Sequence, residues 1–451
     1  MTKRDFLKTS SSVVASAALS RFTRAQAQNL VAGSSRTNWA GNYTYKAARL
    51  DEPTNAQEVQ ALVSSLSHTK ALGARHSFND IADTPGDQIS LTHLDEMTLN
   101  KSARSVTVGA GVRYGKLAPW LDAQGFAVHN LASLPHVSVV GACATGTHGS
   151  GIRNGNLSTA ASAIEFVDGT GKMQTLSRAS QPEEFSGAVV ALGALGVITR
   201  ITLDVIPSFQ ISQVVYENLS FDQLERNLDA ICASGYSVSL FTDWQNHRAT
   251  QVWLKQTVAN GAAAPLPPLF YGATLQKVKL HPLAGHSAEN CTDQLGVPGP
   301  WYERLPHFRM NFTPSSGAEV QSEFFVPRAN AYHAILAIEA LRDRITPHLF
   351  ISELRTIASD ELWLSPAYQR DSLAIHFTWK PEMTAVLAVL PLIERALKPF
   401  DARPHWAKVF TTPPQRLAEL YAQIPAFRQL AAKYDPAGKF RNHYLRNIYG
   451  A

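Results

Sequence analysis

Cysteine is scarce in this 451-residue chain. Its three cysteines (Cys143, Cys232, Cys291) allow one disulfide at most, and they form no Cys-x-x-Cys pair and no zinc-type spacing. Buried small apolar packing is the role expected of all three, and no metal site is expected. Long apolar runs are absent too. The candidate stretch Val13–Leu19 falls far short of the roughly 18 residues that a membrane helix needs, and no other run reaches that length, so no membrane span is expected. A basic surface is also missing, despite a formal net charge of +5. Lys3, Arg4, Lys8, Arg21 and Arg24 against Asp5 hold four of those charges, which leaves +1 over residues 29–451. No Lys/Arg stripe with interleaved aromatics follows, which excludes a nucleic-acid partner. Repeats and low-complexity tracts are lacking. What remains is an ordinary globular composition, 45% hydrophobic and 17% charged, long enough for two domains.

Residues 1–28 have the parts of an export signal in order. A charged start, Lys3-Arg4-Asp5-Phe6-Leu7-Lys8, precedes the mild apolar stretch, and the small-residue site Ala25-Gln26-Ala27 precedes Gln28. The Lys-Arg-x-Phe-Leu-Lys order resembles a twin-arginine signal with one Arg replaced by Lys. The expectation is export of an already folded protein by the twin-arginine translocon, to the periplasm or beyond.

Two regimes follow. From residue 29 to 207, strand-like runs (Ser105–Val108, Ile164–Val167, Val197–Val205) alternate with helical spacing over Ala56–Thr69 and Tyr114–Gln124. Asp168-Gly169 signals a hairpin between Ile164–Val167 and Met173–Leu176. From 208 to 403, strands at Ile211–Tyr216, Ser237–Thr242, Val320–Val326, Phe350–Ile357 and Ser372–Trp379 are expected. Helices are expected over Phe221–Ala233, Ala329–Asp343 and Met383–Leu397. Asn260–Pro314, rich in Pro and Gly, reads as a partly ordered insertion. Residues 404–451 form a C-terminal segment. The class is α+β with two domains.

Two glycine-bearing loops stand out: Gly73-Ala74-Arg75-His76-Ser77-Phe78-Asn79 and Gly141-Ala142-Cys143-Ala144-Thr145-Gly146-Thr147-His148-Gly149-Ser150-Gly151. Small residues admit a ligand close to the backbone, and successive N–H groups make an anion-binding concavity. Thr145, Thr147 and Ser150 add hydroxyls. Both loops read as phosphate cradles. Between them, Gly109-Ala110-Gly111-Val112-Arg113-Tyr114-Gly115 imitates the dinucleotide fingerprint but is one residue too long and lacks the later acidic partner. It reads as a strand-to-helix turn, and a nicotinamide Rossmann enzyme is disfavoured.

In a strand, residues i and i+2 share a face. Gln321 and Glu323 do so, as do Glu353 with Arg355 and His376 with Thr378, each pair in an otherwise apolar run. If the three strands pair, one face carries carboxylate, guanidinium, imidazole, amide and hydroxyl groups. Such a buried set is costly unless partnered or used by a ligand. Its balance of charge suits a neutral polyhydroxylated molecule.

The loops, with Leu131-Ala132-Ser133-Leu134-Pro135-His136, Glu353-Leu354-Arg355-Thr356, His376-Phe377-Thr378-Trp379 and Pro404–Phe410, resemble the vanillyl-alcohol oxidase flavoprotein family. The resemblance is strongest to its alditol (xylitol/sorbitol) oxidases and covers nearly all of residues 29–451. It implies a two-domain FAD-binding fold with a mixed-sheet substrate domain, the FAD-binding part being residues 29–207. It also implies FAD joined covalently through His76. Cofactor contacts fall by resemblance at Gly73, Ala74, Arg75, His76, Ser77, Ala132, Ser133, Gly141, Thr145, Gly146, Thr147, His148, Gly149, Gly151 and Val197. Ala132, small and near the reactive edge of the flavin, leaves room for dioxygen. Substrate contacts fall at Ser133, Gln321, Glu353, Arg355, His376, Thr378 and Lys408. The activity implied is oxidation of the terminal hydroxyl of an alditol, with dioxygen reduced to hydrogen peroxide, by a monomer. His376 is the expected base because imidazole is tuned near neutrality, while Arg355 and Lys408 stabilise negative charge. Lys408 becomes the alternative base if burial lowers its pKa. Tyr368 and Trp379 are expected to pack. Rival readings are a sugar-lactone oxidase or dehydrogenase and a polyol-binding protein without catalysis.

Overall fold

Residues 36–258, 266–312 and 318–449 are described by a computed structural model. The leader expected over residues 1–28 lies outside them. Asn38–Ala451 is one unit built on two hydrophobic cores.

The first core holds an antiparallel five-stranded sheet, in the order Met97–Asn100, Ser105–Gly109, Gly196–Asp204, Ala161–Asp168, Met173–Ser177. Beside it lies a parallel sheet of Leu50–Asp51, Asp87–Ser90 and Thr69–Leu72. Helix Ala56–Ser65 starts at Asn55, whose side chain accepts the Glu58 N–H at 2.9 Å, and it buries Val59 and Val63, one turn apart. Its helical spacing runs on to Thr69, but the helix stops at Ser65 because Thr69–Leu72 is taken by pairing with Asp87–Ser90. The hairpin at Asp168 forms. Its turn is longer than an Asp-Gly pair, since Asp168 Oδ1 accepts from Thr170 and Lys172 N–H and Gly171 takes the left-handed conformation (φ +82°).

The second core lies under a large sheet whose strand pairs are all antiparallel. Its central strands run Gln210–Ser220, Arg248–Thr257, Ser237–Thr242, Leu349–Ile357, Ser372–Trp379, Val320–Pro327. Helices Phe221–Ala233, Ala331–Glu339 and Met383–Leu397 cover one face, and the helical spacing over Ala329–Asp343 breaks after Glu339. Leu228, Ile231, Ile335, Ile338, Leu390 and Ile393 close on Leu240, Leu254, Phe324, Leu354, Ile375 and Phe377. Because strand side chains alternate, the residues between these last ones all point to the other face.

The division between cores does not follow the chain strictly. Leu362, Trp363, Leu364 and Tyr368 join the first core, and so does the C-terminal segment through Trp406, Tyr421, Phe427, Tyr434 and Tyr444. Within the insertion, residues 266–312 add short edge pieces to the large sheet, with Leu269–Phe270 on Ala273–Leu275 and Gly299–Pro300 on Gln210–Ile211. All three cysteines are buried and free.

Candidate active site

The uncovered face of the large sheet meets the glycine loops across a cavity of about 880 Å³, toward the upper end of ligand pockets. Its floor is set by strand register. Glu353 lies opposite His376 on one side, and Glu323 lies opposite the same His376 on the other. Gln321 pairs with Thr378 one step along. The three polar pairs therefore share one face, as period-two alternation requires.

Glu323 is the centre of this face. It is 1% exposed, and its Oε1 lies 2.7 Å from Arg355 Nη2, 3.1 Å from His148 Nε2 and 3.5 Å from His376 Nδ1. Burial alone would raise its pKa, yet His148, Arg355 and His376 together hold it well below the usual carboxylate range. Glu353 is held down in the same way, against burial, by Arg355 and by His307, whose Nε2 is 2.7 Å from Oε1. Arg355 also reaches from the sheet to the opposite wall, where Nη1 donates to Ser133 Oγ at 3.3 Å. His376 faces Thr378 Oγ1 through Nε2 at 3.3 Å, and burial keeps the ring below its ordinary pKa. His148, Glu323 and His405 bring ligand-type atoms within 4.8 Å of one another. The Arg355 guanidinium on the same Glu323 oxygen supplies the positive charge that a cation would bring, so we read the cluster as a hydrogen-bonding floor.

Lys408 arrives from the C-terminal segment, and the first loop places it. Asn79 Nδ2 donates to the carbonyls of Trp406 and Lys408, both at 2.8 Å, and Phe78 N–H donates to Ala407 O at 2.8 Å. Lys408 Nζ then donates to Gln321 Oε1 and sits 4.8 Å above the Phe78 ring. Burial pulls its pKa down to about 8.

The other half of the cavity is built for close approach. A Cβ on Gly73 would come 2.8 Å from Ser138 Oγ, and one on Gly141 would come 2.6 Å from the same atom, so both loops close on one hydroxyl. Arg75 adopts a left-handed backbone (φ 63°), and its carbonyl accepts the Trp39 N–H at 2.8 Å. His76 follows, its ring tilted against Trp39 at 4.7 Å and against His136 at 4.2 Å, with a buried Nε2 that has no hydrogen-bond partner among the described residues. Burial keeps this ring neutral.

Most residues read from sequence line this one cavity: Gly73, Ala74, Arg75, His76, Ser77, Ala132, Ser133, Gly141, Thr145, Thr147 and His148 on one side, with Gln321, Glu353, Arg355, His376, Thr378 and Lys408 on the other. Four do not. Val197 pairs with Val167 inside the first core, and its neighbours Gly196 and Ile198 face the cavity instead. Gly146, Gly149 and Gly151 turn the loop behind the wall, where φ +66° and +141° at Gly146 and Gly151, and Asn130 against Gly149, require glycine. Gly141 itself sits in a short helix, Val139–Ala144, rather than in an open loop. The strand-to-helix turn at Gly109–Gly115 is as expected, but Ala110, Gly111 and Arg113 also line the cavity. Glu323 was legible by alternation, though its central role was not. His307 carried no periodic signal, because it lies in the Pro/Gly-rich insertion. Tyr368 and Trp379 pack, Trp379 stacking 5.0 Å from Phe377.

Comparison with known proteins agrees with this geometry. An FAD binding domain family matches residues 47–177, and the D-arabinono-1,4-lactone oxidase family matches residues 316–448. An alditol oxidase from a Streptomyces species is 47% identical over 417 residues, covering 91% of this chain and 98% of that protein. The chain belongs to the alditol oxidase branch of the vanillyl-alcohol oxidase flavoproteins. An L-gulonolactone oxidase from Mus musculus, at 27% identity over 441 residues, covers 91% of this chain and 97% of its own. The crystal structure of cholesterol oxidase from B. sterolicum shares the two-domain α+β fold, with a TM-score of 0.74, 13% identity and coverage of 92% and 96%. FAD is the cofactor of the family. The residues present fit it: two cavity-lining glycines, Gly73 and Gly141, at which a Cβ would crowd Ser138 Oγ, a neutral His76 whose buried Nε2 has no hydrogen-bond partner among the described residues, and a cavity continuous with the polar sheet face.

Proposed function

We propose that this chain oxidises the terminal hydroxyl of alditols such as xylitol and sorbitol to the aldose, as an exported FAD-dependent oxidase with its flavin joined to His76. One observation carries the substrate class. At its centre the sheet face offers two carboxylates (Glu323, Glu353) balanced by two cations (Arg355, Lys408), with amide and hydroxyl groups between them, and at its edge Glu319, which accepts from Gln321, has its pKa raised by burial toward the neutral acid. A charge-balanced set of donors and acceptors satisfies a chain of neutral hydroxyls, whereas an anionic substrate calls for excess cation.

Glu353, Gln321 and Thr378 orient the polyol along the sheet, and Ser133 closes the site from the opposite wall through Arg355. His376, buried and neutral, takes the proton of the reacting hydroxyl, its Nδ1 side steadied by Glu323. Arg355 and Lys408 hold the oxygen that becomes a carbonyl. The chemistry that bound FAD would supply is two-electron oxidation of the substrate carbon, with dioxygen as final acceptor and hydrogen peroxide as product. Ala132, buried on the cofactor side of the cavity, is small enough to leave dioxygen room. Covalent attachment is supported by the His76 ring itself, since only a neutral imidazole with a free nitrogen can act as nucleophile. Export through the twin-arginine route rests on the order of charged start, apolar stretch and small-residue site in residues 1–28.

The test is the visible spectrum of purified protein and of its trichloroacetic-acid pellet, followed by anaerobic xylitol. Yellow colour kept in the pellet, and bleached in native protein by xylitol, is the expected result. Colour lost to the supernatant removes the covalent role of His76. Bleaching by gulono- or galactonolactone but by no polyol overturns the substrate assignment in favour of the lactone oxidases.

A further inference from the structure

Glu353 is held by a residue of the insertion that lines the cavity beside it. His307 is 6% exposed, and its Nε2 lies 2.7 Å from Glu353 Oε1. Phe241 and Trp253 pack edge-on against its ring, at 5.4 and 5.3 Å, and its carbonyl accepts the Thr292 N–H at 2.9 Å. Its other nitrogen faces Lys255 Nζ at 3.5 Å. Lys255 is 1% exposed, stands on the central strand Arg248–Thr257, and donates to the carbonyls of Leu305 and Pro306. The lysine thus pegs residues 305–307 to the sheet. Burial pulls the Lys255 pKa down to about 7, and an N–H donor at Nδ1, ammonium or amine, leaves the ring's own proton on Nε2, directed at Glu353. A buried lysine with three local acceptors and no carboxylate in contact is costly to keep unless its placement is used.

We infer that His307, held by Lys255, is a positioning residue that fixes Glu353 as a hydroxyl acceptor and so sets the affinity for polyhydroxylated substrates. This rests on the alditol oxidase reading of the same site. The bond holds Oε1 from the insertion side of the cavity, whose wall His307 itself joins, while Oε2 faces Arg355 Nε at 3.7 Å, so the carboxylate plane is held on both sides. A fixed, ionised acceptor takes substrate O–H groups, whereas a protonated one competes as a donor. Lys255 and Arg355 are the charged groups facing His307, and Arg355, His307 and His376 face Glu353. Of these, Arg355 and His307 do most to keep Glu353 ionised.

The test is steady-state kinetics on the flavin-loaded full chain with xylitol, as a function of pH, for H307Q, H307F and K255M. H307Q keeps a donor and should stay within about threefold of wild type. H307F should raise KM about tenfold or more with kcat within about threefold, and should add an acidic rise in KM as Glu353 becomes protonatable. K255M should raise KM in the same direction without touching the carboxylate, and it carries the test if H307F does not fold. Equal impairment of H307Q and H307F, or a fall in kcat with unchanged KM and pH profile, overturns the inference. Wild-type protein that no alditol reduces overturns the functional reading, and this inference with it. Wild-type turnover together with unaffected K255M and H307F overturns this inference alone.

Discussion

Replacing Glu323 by Gln keeps the shape of the side chain and removes one charge from the centre of the site. Its Oε1 meets Arg355 at 2.7 Å, His148 at 3.1 Å and His376 at 3.5 Å. A unit charge pair near 4 Å is worth about 4 kcal/mol at an effective dielectric near 20. Arg355 and His148 share the carboxylate, so His376 feels only part of that support, and losing it lowers the basicity of the ring. Burial already holds that ring below its ordinary pKa while Glu323 pulls it back up, so the substitution moves it further down. The base works deprotonated. The acid limb of kcat/KM therefore shifts to lower pH, while the plateau falls about 10- to 100-fold because the base is weaker. Removing the carboxylate also takes from Arg355 one of its two counter-charges, Glu353 being the other, at a cost of about 2–3 kcal/mol. For a chain of this length, with about 0.9 kcal/mol of unfolding free energy per degree, that is a Tm loss of about 2–3 °C. The protein stays folded for assay at room temperature. Anaerobic flavin bleaching by xylitol from about pH 5 to pH 9 measures both effects. A variant with kcat/KM within twofold of wild type and an unmoved acid limb would refute the reasoning.

Lys408, pulled down to about 8 by burial, should set the alkaline limb: its ammonium is lost as pH rises through that value, and kcat/KM falls with it. K408R keeps the cation at all accessible pH and should push this limb beyond about pH 10, whatever it costs in absolute rate; a limb that stays near 8 assigns it to another group. Gly141→Ala should lower the flavin content of purified protein, since its Cβ would sit 2.6 Å from Ser138 Oγ. Adding Ser138→Gly should restore much of that content; absorbance ratios of flavin to protein decide it, and no rescue would show that the clash lies elsewhere.

The sequence alone determined what period and composition can determine. Two-residue alternation put Gln321 with Glu323, Glu353 with Arg355 and His376 with Thr378, each pair on one face of its own strand, because side-chain direction in a strand follows from parity, and strand pairing then brought the three pairs to a single face. Helix Phe221–Ala233 and strands Ser237–Thr242 and Ser372–Trp379 were legible to the residue from their apolar spacing. Parity also governs the segment around Val197: a matched segment does not say which side chains face the cavity, and the sheet turned Val197 into the core while Gly196 and Ile198 line the cavity. Only the tertiary structure decided which groups meet. Asn79 bonds the carbonyls of Trp406 and Lys408, across more than three hundred residues, and no local signal encodes that clamp. Glu323 became the centre because two strands put it beside His376 and the glycine loop brought His148 to it. His307 comes from an irregular insertion whose backbone follows no period, so its bond to Glu353 exists only once the strand bearing Lys255 has fixed the segment in place.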